Sequence, residues 1–197
     1  MLIWAGTDEW RAEVAHVQQG EGRFRATGVQ VGIGPVPYRV DYVLETGDAW
    51  VTRTLEVTAA GDGWRRSLLL TRDPRGRWTA QGDAAGAVDL PAPGGDTAGL
   101  DGAVDCDLGL SPLSNSMPIL RHGLLHHGAG AAECTMAWVS VPDLSLHRSS
   151  QRYEHLRTTS TGAVVRFSSG DFTADLQVDA DGFVVDYPEL ARLVSGG

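Results

Sequence analysis

Among residues able to bind a metal, His122, His126 and His127 are the best candidates in the chain. On a helix, His122 and His126 would share a face at i, i+4, the spacing of a two-histidine metal site. Solvent-facing histidines near a helix carboxyl end are the commoner outcome, so no metal is expected. Cys106 and Cys134 match no zinc or redox spacing. Cys106 stands between Asp105 and Asp107, whose charges oppose thiolate formation, and Cys134 follows Glu133 in what reads as strand packing. There is no Gly-x-Ser-x-Gly elbow; the nearest string, Gly109-Leu110-Ser111-Pro112, places proline where a helix-starting turn needs freedom. Asp179-Ala180-Asp181-Gly182 opens like a calcium loop, but Phe183 takes the fifth position and no later glutamate completes it. It reads as a hairpin turn. No catalytic set assembles, and no cofactor is expected.

Arginines and aromatics are more informative. Arg39, Arg53, Arg121 and Arg152 are the notable cations, and Arg53 has the parity of Val51, Leu55 and Val57, an otherwise apolar face. An inward arginine must meet a carboxylate or a ligand anion, because burying an unpaired charge is very costly. Pairing with Asp41, Asp105 or Asp107 is the plain alternative to a ligand role. Trp50, Trp64, Trp78 and Trp138 all fall in strand-like runs, where they either line a pocket or fill the core. Core filling is the commoner use of tryptophan.

The elements that must position these groups belong to a chain of 197 residues, 42% hydrophobic and 21% charged, which fits one domain. A chain of this size buries about 70% of its unfolded surface and needs no disulfide to hold a core. Its sixteen basic residues are all arginine and face 25 acidic ones, for a net charge of −9. That field repels nucleic acid and anionic lipid surfaces, so neither is an expected partner. The lack of lysine excludes Schiff-base chemistry and a Walker-type phosphate site. No run approaches 18 apolar residues, so no transmembrane helix is expected. The amino-terminal apolar stretch is too short for a secretory signal, which points to a cytoplasmic protein with free, buried thiols.

Period-two alternation runs through most of the chain, the mark of half-buried antiparallel strands. Val36, Tyr38, Val40, Tyr42 and Leu44 share one face of 36–45, and Phe172, Ala174, Leu176 and Val178 share one face of 171–178. Residues 134–141 look covered on both faces, as in a sheet curled upon itself. Strands are expected at 2–6, 10–19, 22–33, 36–45, 48–59, 63–72, 76–81, 102–107, 131–141, 144–149, 151–159, 162–168, 171–179 and 182–187. Glycine-rich turns separate them at hairpin distances. Residues 83–100 read as a long surface loop. Leu113, Met117, Leu120 and Leu124 recur at helical spacing, which predicts a helix of two to three turns near 116–127, sheathed by the sheet. A second helical turn is expected after Pro188.

One order of motifs runs along nearly the whole chain. Tyr38-Arg39-Val40-Asp41 is followed by Trp50-Val51-Thr52-Arg53, then Asp73-Pro74-Arg75-Gly76-Arg77-Trp78 and Asp105-Cys106-Asp107-Leu108. The run Ser111 through Ile119, with its Asn-x-x-Pro-Ile core, is the most specific part. Gln151-Arg152-Tyr153 and the Val178–Gly182 run leading to Tyr187-Pro188 complete the order. In these motifs the chain resembles the putative glycolipid-binding family. The resemblance implies an all-β spiral β-roll, a many-stranded and mainly antiparallel sheet wrapped around one helix, and a homodimer. It also implies an apolar ligand, by likeness to bacterial lipoprotein carriers. Leu120 and His122 depart from the family pattern, where an arginine and an apolar residue are commoner, and this halves a basic cluster there.

Three functions are therefore open: binding of an amphiphilic, glycolipid-like small molecule without catalysis, a hydrolase acting on sugar-lipid substrates, or a dimeric scaffold with no ligand. Amphiphile binding is the expected one. Its site is expected to form from Arg39, Trp50, Arg53, Asn115, Met117, Ile119, Leu120, Arg121, Arg152 and Tyr153. Met117, Ile119 and Leu120 would give an apolar wall, while Arg53, Arg121 and Arg152 would meet a polar head.

Overall fold

The alternating runs resolve into fourteen strands in the computed structural model, which describes residues 1–196. The first half comprises β1 (Leu2–Gly6), β2 (Arg11–Gly20), β3 (Arg23–Gly32), β4 (Tyr38–Thr46), β5 (Thr52–Gly61), β6 (Trp64–Arg72) and β7 (Trp78–Gly86). The second comprises β8 (Asp105–Leu108), β9 (Ala131–Val139), β10 (Leu146–Thr159), β11 (Gly162–Ser169), β12 (Phe172–Asp179), β13 (Val184–Tyr187) and β14 (Ala191–Gly196). They form one sheet in the order β7-β6-β5-β4-β3-β2-β1-β14-β13-β12-β11-β10-β9-β8. Every pairing is antiparallel except β8 with β9. With 59% strand and 8% helix, the chain is all-β.

The two ends of this order meet. Leu108, Val139 and Leu146 from one end share a core with Val40, Leu55 and Leu70 from the other, so the sheet curls back on itself. Thr52 Oγ1 of β5 accepts a 3.0 Å hydrogen bond from the Cys106 amide of β8, which would otherwise lie buried without a partner. Strand β9 is covered on both faces, as its mixed pattern implied. Cys134 and Met136 lie in a second core, while Ala137 and Val139 lie in the first. Both cysteines are free and buried.

A 3-10 turn at Pro112–Asn115 leads into the one α-helix among the described residues, α1 (Ser116–Arg121). Its position between the cores is fixed by Met117, which packs in the first, and Ile119, which packs in the second. The helix is sheathed as expected but stops at Arg121, short of 127. Gly123 adopts φ +62, a left-handed geometry that ends helices and that glycine adopts without steric cost.

Four other expectations change. Residues 83–86, expected to open a long loop, continue β7 to Gly86, because β6 pairs with them from Ser67↔Asp83 to Trp64↔Gly86. Residues 188–190 form a tight turn, closed by the Leu190 amide donating to Tyr187 O at 3.0 Å, and 191–196 form strand β14 rather than continuing a helical turn, because the open edge of β1 pairs with them from Leu2↔Gly196 to Gly6↔Ala191. Residues 144–149 and 151–159 are one continuous strand, β10, from residue 146 onward. Trp50 is not in a strand: it ends a 3-10 turn, Asp48–Trp50, at φ +56, with its amide donating to Gly22 O.

Candidate functional site

Pairing along β8–β12 sets inward side chains in rows. Asp107 stands beside Trp138 and His147, and Asp105 beside Met136 and Ser149. Cys134 stands beside Gln151, Ser169 and Phe172, and Ala132 beside Tyr153, Phe167 and Ala174. Ile119 and Leu124 pack over Met136, Val165 and Leu176, filling the deep part of this concave face. The remainder stays open as a cleft of about 740 Å³.

Aromatic rings wall the cleft and polar groups line its floor. Phe167, Phe172 and Tyr187 form one wall, with ring centroids 6.0–6.3 Å apart. Trp138, its ring 5.5 Å from that of His147, belongs to the other side. Gln151 Nε2 donates 2.7 Å to Asp107 Oδ2. The Tyr153 hydroxyl lies 2.9 Å from Gln151 Oε1 and 3.0 Å from Asn115 Oδ1, and shares its single proton between them. Asn115 Nδ2 donates 3.2 Å to Pro112 O. These planar groups are held rigid by one another, so the floor is set before any ligand arrives. Burial pushes the Asp107 carboxyl up to about 6, against hydrogen bonds from Gln151 and Ser114 that favour its ionised form.

Of the ten residues expected at the site, Asn115 lines this cleft and Tyr153 lies directly behind it. Arg53 does not face the interior. The β4–β5 pairing shifts from Thr46↔Thr52 to Glu45↔Thr54, so Arg53 is an extra residue in a β-bulge and points outward. Its side chain lies over Gly47. The parity drawn from Val51 fails at that bulge. Arg39 pairs outward with Asp41 at 2.6 Å, and Arg152 pairs outward with Glu133 at 2.7 Å and Glu154 at 3.3 Å. Arg121 grips Asp105, which is fully buried, through two hydrogen bonds of 2.7 and 2.5 Å. Met117 and Ile119 are fully buried in the cores, and Leu120 rests on Gly182. Trp50 packs against the first core.

The interior behind Tyr38–Arg53 holds a different group, one that the sequence did not bring forward. Glu13 is buried; its Oε1 accepts 2.5 Å from the Tyr42 hydroxyl and 2.7 Å from the Ser111 hydroxyl. Gln30 Nε2 lies 3.5 Å from Glu13 Oε2 and 3.4 Å from Gly109 O. Burial pushes the Glu13 carboxyl up to about 7. The cavity beside it measures only about 10 Å³, room for about one water. The signal was present in β2, where Glu13 shares the parity of Ala15 and Val17.

His122 lies beyond α1, so it shares no helix face with His126; its Nε2 is 3.9 Å from Cys134 Sγ. Among the described residues, no three His, Cys, Asp or Glu side chains are grouped to hold a metal ion. Burial raises both thiols, Cys106 to about 12, away from nucleophilic use. Asp179 Oδ1 accepts from the amides of Asp181 and Phe183, which makes 179–183 the hairpin turn expected. No helix among the described residues is long and apolar enough to cross a membrane.

A model of the family described as putative glycolipid-binding matches residues 1–193. The chain is also similar to the crystal structure of a DUF1089 family protein from Pseudomonas aeruginosa, with a TM-score of 0.68 and 27% identity over 91% of each chain. No curated protein matches.

Proposed function

Because the chain belongs to the putative glycolipid-binding family, we propose that it binds an amphiphilic small molecule, without catalysis, in the cleft between Trp138 and Tyr187. The observation that carries this reading is the cleft itself: about 740 Å³, aromatic along its walls and polar on its floor. Small-molecule sites commonly span roughly 300–1,000 Å³ with that mixture of surfaces. Each methylene removed from water there contributes about 0.8 kcal/mol, so a short alkyl chain on the aromatic wall suffices for measurable affinity.

One pair argues for catalysis and falls short. Ser145 Oγ lies 2.9 Å from His147 Nε2, the first contact of a nucleophile–base dyad. The nearby Asp143 carboxylate is spent on the Ser140 hydroxyl at 2.6 Å and the Ser145 amide at 2.7 Å, and does not orient the imidazole. Binding is therefore favoured over hydrolysis.

Native mass spectrometry of protein purified from its host tests for a co-purifying amphiphile. Ser149→Trp fills the cleft and should abolish binding, whereas Leu120→Trp strains the turn at Gly182 and leaves the cleft open. Amphiphile affinity unchanged by Ser149→Trp would place the ligand elsewhere.

A further inference from the structure

Resting on the binding reading above, we infer that the cleft is proton-gated and takes an anionic head: Asp107 admits a sulfate, phosphate or carboxylate group when protonated and expels it when ionised. Among the described residues, the full charges lining the cleft are Asp107 of β8 and Arg148 of β10. Arg148 donates to Gly99 O at 3.1 Å, Asp101 O at 2.6 Å and Thr135 Oγ1 at 3.3 Å. These partners are neutral oxygens, so no carboxylate cancels its charge. Arg121, by contrast, is held bidentately by Asp105 and the two sum to zero. With Asp107 ionised the lining is neutral overall; with Asp107 protonated it keeps the positive charge of Arg148.

Asp107 is placed to act on a ligand directly. It stands in register beside Trp138 and His147 and is partly exposed where the cleft opens. Gln151 Nε2 holds its Oδ2 at 2.7 Å. Protonated, the carboxyl has an O–H to donate; ionised, it only accepts. An anionic oxygen also only accepts. It gains a charge-assisted hydrogen bond from the protonated carboxyl and meets repulsion from the ionised one. Burial raises the Asp107 carboxyl to about 6, which brings the change into an accessible range.

The other titratable groups around Asp107 do not reproduce this switch. Asp105 spends its charge on Arg121. Burial keeps the Tyr153 and Tyr187 hydroxyls and the Cys106 thiol neutral. Glu13 lies behind the wall at Ser111 and bears on charged and uncharged heads alike. His147, its Nε2 2.9 Å from Ser145 Oγ, is the exception, because a protonated imidazole also draws an anion.

Calorimetric titration tests the inference with octyl sulfate, anionic throughout, and an uncharged octyl tetraethylene glycol ether, each below its micelle-forming concentration. Octyl sulfate should bind wild type at least about tenfold tighter near pH 5.5 than near pH 8. In two buffers of different ionisation enthalpy it should take up about one proton per molecule bound. The ether should show neither effect. Asp107→Asn, which donates without ionising, should hold the sulfate near its acid affinity at both pH values, and His147→Gln should leave the dependence in place. A sulfate affinity that does not change with pH in wild type overturns the inference and leaves amphiphile binding intact. So does a dependence that survives Asp107→Asn, one lost in His147→Gln, or one the ether shares. If neither probe binds wild type at either pH, the binding reading falls as well. Should Asp107→Asn fail to fold, wild type and His147→Gln, changed at an exposed position, still decide.

Discussion

The Ser111 hydroxyl, in the wall of the cleft, donates a 2.7 Å hydrogen bond to Glu13 Oε1, 98 positions earlier and on the other half of the roll. Gln30 adds a hydrogen bond to Gly109 O in the same wall. The cleft is thus braced from behind by a buried carboxyl, whose raised pKa makes stability depend on pH. The folded state keeps the Glu13 proton up to about pH 7, and the unfolded chain releases it near 4.5. Between those values the folded form holds more protons, so stability is greatest at the acid end and falls as pH rises, levelling off above about 7. The span corresponds to an effect on the order of 3 kcal/mol. Asp107 contributes with the same sign, from 3.8 to about 6. Urea midpoints measured near pH 5 and pH 8 should therefore fall with pH, and Glu13→Gln should shrink that fall. An unchanged slope in the variant would refute the assignment.

Arg121 was expected to greet a ligand, but its bond to fully buried Asp105 makes it structural. Arg121→Ala leaves a buried carboxylate without its partner, a loss of about 3–5 kcal/mol. Truncating Asp105 as well removes the stranded charge, so Arg121→Ala/Asp105→Ala should cost less than the sum of the single variants. A purely additive double variant, measured by denaturant unfolding, would mean the pair does not interact as described.

Much of the roll was legible because strand faces follow a strict alternation. Val40, Tyr42 and Leu44 are buried as their parity requires, and Thr173, Asp175 and Gln177 are exposed. Arg53 was misplaced because a single bulge residue reverses parity, and nothing within the strand's own pattern announces it. Strand β14 was missed because its strand character comes from β1, a partner almost the full chain length away. The cleft was hidden for a similar reason. Asp107, Trp138, Gln151 and Phe172 come from four strands, and only the register between those strands brings them together.

A homodimer is proposed, with β7 as its contact. That strand ends the sheet and, among the described residues, pairs with β6 alone. Ala84, Ala85 and Gln81 on it are exposed, and Asp83 is the single charge between Trp78 and Gly86. An edge so lightly guarded invites pairing with a second copy. Sedimentation equilibrium at micromolar concentration should give twice 21.0 kDa. A 21.0 kDa species at every concentration would rule the dimer out.

The last prediction concerns how Tyr42 is aimed at Glu13. In the register of β3 and β4, Tyr42 lies opposite Gly28 and Tyr38 opposite Gly32. A Cβ on Gly28 would collide with the Tyr42 ring, so the ring lies flat over bare backbone and its hydroxyl reaches Glu13 at 2.5 Å. Gly28→Ala must push the ring aside, which combines overpacking with loss of a hydrogen bond to a buried carboxyl. Together these amount to about 2–4 kcal/mol. If the collision with Tyr42 is the cause, Gly28→Ala should be nearly neutral in a Tyr42→Ala background. Equal costs in both backgrounds would show that Gly28 is needed for the β3 backbone alone and does not position Tyr42.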